Sequence, residues 1–160
     1  MSAFARESIP IGRQQHIVAR FFPPAGEARG AVLVVPAMGV TQAYYAPFAE
    51  WLAAQGFLAA TFDYRGIGQS RHGRLRRLKV DLLDWARQDC AAMIDAVTQR
   101  TGGKPLYWVG HSLGGHLAMA FAAVFPEQTG QVTVFNAPGY KDNPVNREFM
   151  ARLGGSIPQP

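Results

Sequence analysis

The sequence predicts an α/β fold, a three-layer α/β/α sandwich in which a mostly parallel sheet of about six strands begins with an antiparallel hairpin. Three observations carry this. Ala31–Val35 (AVLVV) and Phe57–Phe62 (FLAATF) are continuous apolar runs, as strands buried on both faces are. Helical segments separate such runs, so the strands join through crossovers. Finally, Leu106–Phe125 (LYWVGHSLGGHLAMAFAAVF) passes from a strand-like run, through a Gly-x-Ser-x-Gly turn, into an Ala-, Leu- and Met-rich helix.

Taken in order, Ser8–Ile11 and His16–Phe22 are β-prone runs parted by Gly12-Arg13-Gln14-Gln15, which predicts the hairpin. Pro23-Pro24-Ala25-Gly26 ends it. Ala31–Val35 stops at Pro36-Ala37-Met38-Gly39. Thr41 is a suitable N-cap for a helix carrying Tyr45, Phe48, Trp51 and Leu52, with Gly56 as its C′ residue. The strand Phe57–Phe62 runs into Asp63-Tyr64-Arg65-Gly66-Ile67-Gly68-Gln69-Ser70. Asp81 opens a long amphipathic helix with Leu82, Trp85, Ala86, Met93, Ile94 and Val97, closed by Thr101-Gly102-Gly103. Beyond the serine turn and its helix, Gln131–Phe135 reads as the last strand and Asn146–Leu153 as a short helix. No repeat or linker divides the chain, so residues 1–160 are read as a single domain.

Hydrophobic content of 48% with 17% charged residues is that of a globular chain rather than a disordered one. The N-terminus has no apolar signal-like stretch and no run reaches membrane-spanning length, which predicts a cytoplasmic protein. Cys90 is the single cysteine, offering no disulfide framework and no metal cluster, and is assigned to helix packing. No cofactor is expected. Net charge is +5, and Arg65, Arg71, Arg74, Arg76, Arg77 and Lys79 crowd one segment. That segment reads as a solvated loop rather than a nucleic-acid surface, because no stacking aromatics accompany the charges. An acidic or phosphate-bearing ligand stays open.

The glycines explain the serine turn. A sharp strand-to-helix bend crowds the positions two before and two after its tip, and Gly110 and Gly114 supply room there. The bend presents the Ser112 hydroxyl at the carboxyl end of a strand, where chemistry collects in such sheets. The N–H of Leu113, in the first helical turn, becomes a donor to an oxyanion.

Four stretches together, VVPAMGV at Val34–Val40, TFDYRGIGQS at Thr61–Ser70, LLDWARQD at Leu82–Asp89 and YWVGHSLGGHLA at Tyr107–Ala118, resemble the α/β-hydrolase superfamily, in its serine-hydrolase, lysophospholipase-like branch. The resemblance implies a nucleophile elbow with Ser112 as nucleophile and Met38 and Leu113 as the oxyanion-hole donors. Pro36-Ala37 stands where a His-Gly pair is commoner. It implies a structural role for the FDYRGIGQS turn, with Asp63 not catalytic. Asp142 follows the last strand, where some lipases of this fold place their acid, and reads equally as a turn residue in Lys141-Asp142-Asn143-Pro144.

The family order is Ser, acid, His, and after Ser112 the sole histidine is His116. His116 sits on the helix leaving the turn, His111 should face away from the site, His72 lies in the basic loop and His16 in the hairpin. No triad base is evident. The family implies eight strands and about six are countable, so the chain is read as lacking the C-terminal part of the fold. Gln131–Phe135 then becomes an exposed edge, a route to a homodimer. The expected activity is hydrolysis of small carboxylic esters, weak or absent without a base. The alternative is a non-catalytic truncated or engineered domain that binds acyl ligands or a partner chain.

Overall fold

Apolar runs must satisfy their backbone groups within a ladder, and here they do so in one sheet. β1 (Ala5–Ile11) and β2 (Gln15–Phe22) pair antiparallel, with Ile9 opposite Ile17. β3 (Ala31–Val35), β4 (Leu58–Asp63), β5 (Leu106–His111) and β6 (Val132–Phe135) are mutually parallel. The order is β1-β2-β4-β3-β5-β6, and β2 lies antiparallel to β4 with Val18 opposite Asp63. This is a computed structural model, and it describes residues 4–124, 132–135, 147 and 151.

A 3-10 turn, Gln42–Tyr45, leads into α1 (Ala46–Ala54). α2 (Leu82–Asp84), a π-helical segment Trp85–Cys90 and α3 (Ala91–Thr101) run end to end, and α4 (Leu113–Val124) follows β5. Strand side chains alternate between two cores. Ala31, Leu33 and Val35, with Leu58, Ala60 and Phe62, join Met93 and Val97 of α3 and Leu117 and Ala118 of α4. Val32, Val34 and Ala59 join Tyr45, Ala49, Leu52 and Ala53 on the α1 side. A period of two along each strand therefore feeds both layers. A fully buried Val, Leu or Phe side chain contributes about 1.5–3 kcal/mol.

Three expectations are refined. Thr41 makes no side-chain cap. The Gln42 N–H instead donates to Asp63 Oδ1 at 2.7 Å, which draws the helix entry onto the end of β4. Asp81 does cap its helix: its carboxylate accepts from Asp84 N at 2.9 Å, and Asp84 Oδ2 accepts from Asp81 N at 3.0 Å. The long helix is not uniformly α, because Trp85–Cys90 is wound as π. The helix predicted over Asn146–Leu153 lies outside the described residues apart from positions 147 and 151. Among the described residues no helix is long and apolar enough to cross a membrane.

Cys90 is fully buried at the end of the π segment, and burial pushes its thiol well above the usual range. The thiolate is the reactive form. Iodoacetamide at pH 8 is therefore expected to leave Cys90 unmodified in the folded protein and to alkylate it fully in urea. Rapid native labelling, read by intact mass, would contradict this packing.

Candidate active site

Ser112 has φ of +53°, and among the described residues it is the one non-glycine in the left-handed region. Such a conformation costs on the order of 1–3 kcal/mol and persists only where its surroundings impose it. The surroundings are two glycines. A Cβ on Gly110 would lie 2.4 Å from Gly114 O and 2.5 Å from Gly115 Cα, and one on Gly114 would lie 2.1 Å from Val35 O. The start of α4 thus presses directly against the ends of β5 and β3. The first helical bond, His116 N–H to Ser112 O at 3.0 Å, closes the bend. Ser112 and Leu113 are half-buried at its tip.

β3 lies beside β5 with Val35 opposite Gly110, which brings the loop Pro36–Val40 next to Ser112. Aromatic hydroxyls fix that loop. The Tyr64 O–H donates to Pro36 O at 3.3 Å, and the Ala37 N–H donates to the Tyr45 hydroxyl oxygen at 2.9 Å. The same Tyr45 hydroxyl lies 3.0 Å from His111 Nδ1. Burial raises the Tyr45 phenol above its usual range, partly offset by the bond from Ala37. Met38 stands at the rim of the loop, 62% exposed. Tyr45→Phe leaves the buried Ala37 N–H without its acceptor. It should cost about 1–3 kcal/mol, read as a lowered urea midpoint at unchanged slope.

Asp63 and Asp89 hold the adjoining loop. The buried Asp63 carboxylate accepts from Gln42 N at 2.7 Å, Gln42 Nε2 at 3.1 Å and Gln69 N at 2.9 Å. Gly68, at φ +47°, is required here, since a Cβ would lie 2.5 Å from Asp63 Oδ2. Ser70 Oγ donates to Asp63 O at 2.6 Å and accepts from Val18 N at 2.8 Å, fastening the loop to β2. Asp89 is wholly buried and accepts from Arg65 Nε at 2.6 Å and Arg65 N at 2.9 Å. Burial raises the Asp89 carboxyl above its usual value, against the pull of Arg65. The residues of FDYRGIGQS and LLDWARQD therefore meet each other, and Asp63 and Asp89 are consumed by main-chain, side-chain amide and guanidinium donors.

The histidines are dispersed. His111 turns its Nδ1 to Tyr45. The rings of His16 and His72 face each other with centroids 4.1 Å apart, beside β2, which is three strands from β5. At strand spacings of about 4.8 Å that is roughly 14 Å from the serine turn. His116 lies on α4, half-buried. His16, His72 and His111 are thus each turned to a group other than Ser112. Asp142 lies outside the described residues. No group of three metal-ligating side chains occurs among the described residues. Tyr45 and Gln42 escaped the sequence reading. One scans as an apolar helix position and the other as a solvated one, and nothing local announces their buried partners.

The profile of the serine aminopeptidase S33 hydrolase family matches residues 26–158. A Caulobacter segnis protein whose name links it to carbamate hydrolysis is 30% identical over 134 residues, 82% of this chain and 46% of that one. Human monoglyceride lipase is 28% identical over 112 residues, 70% of this chain and 36% of the lipase. A thermostable carboxyl esterase from Bacillus coagulans superposes with a TM-score of 0.73 at 20% identity, over 96% of this chain and 52% of that one. That last likeness is one of fold. The chain spans less than half the length of these two curated relatives.

Proposed function

The chain belongs to the serine aminopeptidase S33 family of α/β hydrolases, and from that premise we propose that it is built to hydrolyse small carboxylic esters through an acyl-enzyme on Ser112. The observation that supports this most is the forced bend at Ser112, φ +53°, on a strand-to-helix junction. Relatives named as a lipase and as cutinases point to the same bond type. In this reading Ser112 Oγ attacks the ester carbonyl, and the N–H groups of Leu113 and Met38 receive the developing oxyanion. Asp142 is the acid that would orient a base.

No triad base is evident: His111 is engaged by Tyr45, His16 and His72 lie against each other, and His116 sits on the helix leaving the bend. A serine hydroxyl without one is a weak nucleophile, and loss of a triad member costs on the order of a million-fold in turnover, roughly 8 kcal/mol of barrier. The 160 residues by themselves therefore acylate slowly and turn over little. No metal or cofactor enters the scheme, and a lone buried thiol at Cys90 suits a reducing compartment such as the cytoplasm. β6 is the last strand of the described sheet, and its outer edge pairs two copies. A monodisperse monomer by light scattering at high concentration would remove that dimer.

The test is p-nitrophenyl butyrate and a fluorophosphonate, each with the wild-type chain and Ser112→Ala. A slow adduct on the Ser112 peptide, missing in the variant, with turnover near background in both, is the expected result. Robust turnover abolished by Ser112→Ala would overturn the missing-base argument. No adduct on either chain would overturn the nucleophile and leave a non-catalytic acyl-binding domain.

A further inference from the structure

We propose that the loop after β4 and the β1–β2 turn enclose a binding site for a phosphomonoester group, distinct from the Ser112 bend. A cavity of about 470 Å³ opens between them, walled by Gln15, His16, Arg71, His72 and Arg74. An adjoining space of about 570 Å³ shares Gln15, His72 and Arg74 and adds Arg77. No Asp or Glu lines either one. Arg65 forms the floor, but its charge is taken by Asp89, and its Nη1 donates to Gln15 Oε1 at 2.5 Å. The floor is thereby rigid and electrically settled.

The surplus lies on the walls. Arg71, Arg74 and Arg77 are exposed. The ion pairs among the described residues, Arg65–Asp89, Arg100–Glu7 and Lys104–Glu27, include none of them. His16 and His72, ring to ring at 4.1 Å, add imidazole N–H donors at the same mouth. Like charges gathered in a concavity focus the field on one anion, and guanidinium forks match phosphate oxygens two at a time.

A carboxylate offers two oxygens and one charge to this set, whereas a phosphomonoester offers three oxygens and a charge of about −1.5 to −2. The space exceeds a bare phosphate and falls in the roughly 300–1,000 Å³ range of small-molecule sites, so the ester's organic part has room beside the anion. No Phe, Tyr or Trp lines it, which disfavours a stacked nucleic-acid strand. A soluble metabolite and a lipid headgroup both carry such a phosphomonoester, and the chemistry recognised is the same.

Calorimetric titration of the chain with glycerol 3-phosphate at low salt should show saturable binding that free glycerol lacks. Arg71→Ala with Arg74→Ala should weaken it at least tenfold, His72→Ala should weaken it less, and Arg6→Ala, on the exposed side of β1, should leave it unchanged. All substituted side chains are solvent-facing, and unchanged melting curves establish that the variants fold. Sedimentation with phosphatidylcholine vesicles containing phosphatidic acid, lost in the double variant, would identify a lipid source. Binding of glycerol 3-phosphate without sedimentation would identify a soluble one. Absence of both, equal affinity in the double variant, or retention of a single-stranded oligonucleotide without phosphomonoester binding would overturn the site.

Discussion

Asp89→Ala is expected to cost about 3–5 kcal/mol of folding stability, the usual penalty for stripping one partner from a buried ion pair. Asp89 is 0% and Arg65 5% exposed, and the Nε contact is 2.6 Å. Removing the carboxylate leaves the Arg65 charge uncompensated and strips the acceptor from Arg65 Nε and from the Arg65 N–H, which donates to Asp89 Oδ2 at 2.9 Å. Against a total of about 5–15 kcal/mol for a domain, this approaches unfolding. Urea titration with an unchanged slope measures it. Arg65→Met combined with Asp89→Leu should recover part of the loss, because a pair replaced by apolar groups leaves no orphan charge. A cost below about 1 kcal/mol would mean that the pair stabilises nothing.

The pH trend carries its own sign. Burial holds the Asp89 carboxyl above its usual value, so the folded state binds this proton more tightly than the unfolded one. The contribution is fully present below the unfolded carboxylate range, about pH 3.9, and is lost as pH rises through the folded value. The stability gap between wild type and Asp89→Ala should therefore narrow with rising pH. Widening would show that Arg65, not burial, dominates the carboxyl.

Gly114→Ala is the second large effect. Its Cβ would sit 2.1 Å from Val35 O, 2.7 Å from Val35 C and 2.9 Å from Pro36 O, all main chain at the end of β3. No rotamer relieves such a clash. Either α4 or the loop Pro36–Val40 must move, at a cost of about 1–3 kcal/mol or more. In the proposed site this movement would part the Leu113 and Met38 N–H groups, and loss of one oxyanion donor typically costs about 100- to 1,000-fold. Fluorophosphonate capture by Ser112 should fall at least tenfold, while Gly26→Ala, with nothing within 4 Å of its Cβ, should match wild type in both assays. Unimpaired capture by Gly114→Ala would sever the link between this contact and the site.

Much of the fold was legible because burial writes itself into composition. AVLVV reads as a strand wetted on neither face, and all five of its residues are buried. The Gly-x-Ser-x-Gly spacing predicts a bend, and its steric reasons lie at Gly110 and Gly114, where a Cβ would strike main chain. Interactions joining distant segments were not legible. Val18 meets Ser70 and Gln42 meets Asp63 only after the strands have paired. The basic segment reads as solvated because its other wall, Gln15 and His16, lies far away in the chain and arrives through the β2–β4 pairing. A π turn over Trp85–Cys90 leaves no trace in an amphipathic pattern, since six residues are too few to separate two helical periods.

The Tyr45 hydroxyl has one hydrogen to give. Its oxygen accepts from the Ala37 N–H at 2.9 Å and keeps a second lone pair, so the 3.0 Å contact with His111 Nδ1 can run in either direction. One phenol, from the turn ahead of α1, thus spans from the loop after β3 to the last residue of β5. The spacing between these two strand ends is therefore gauged by the length of one aromatic side chain set from a third element.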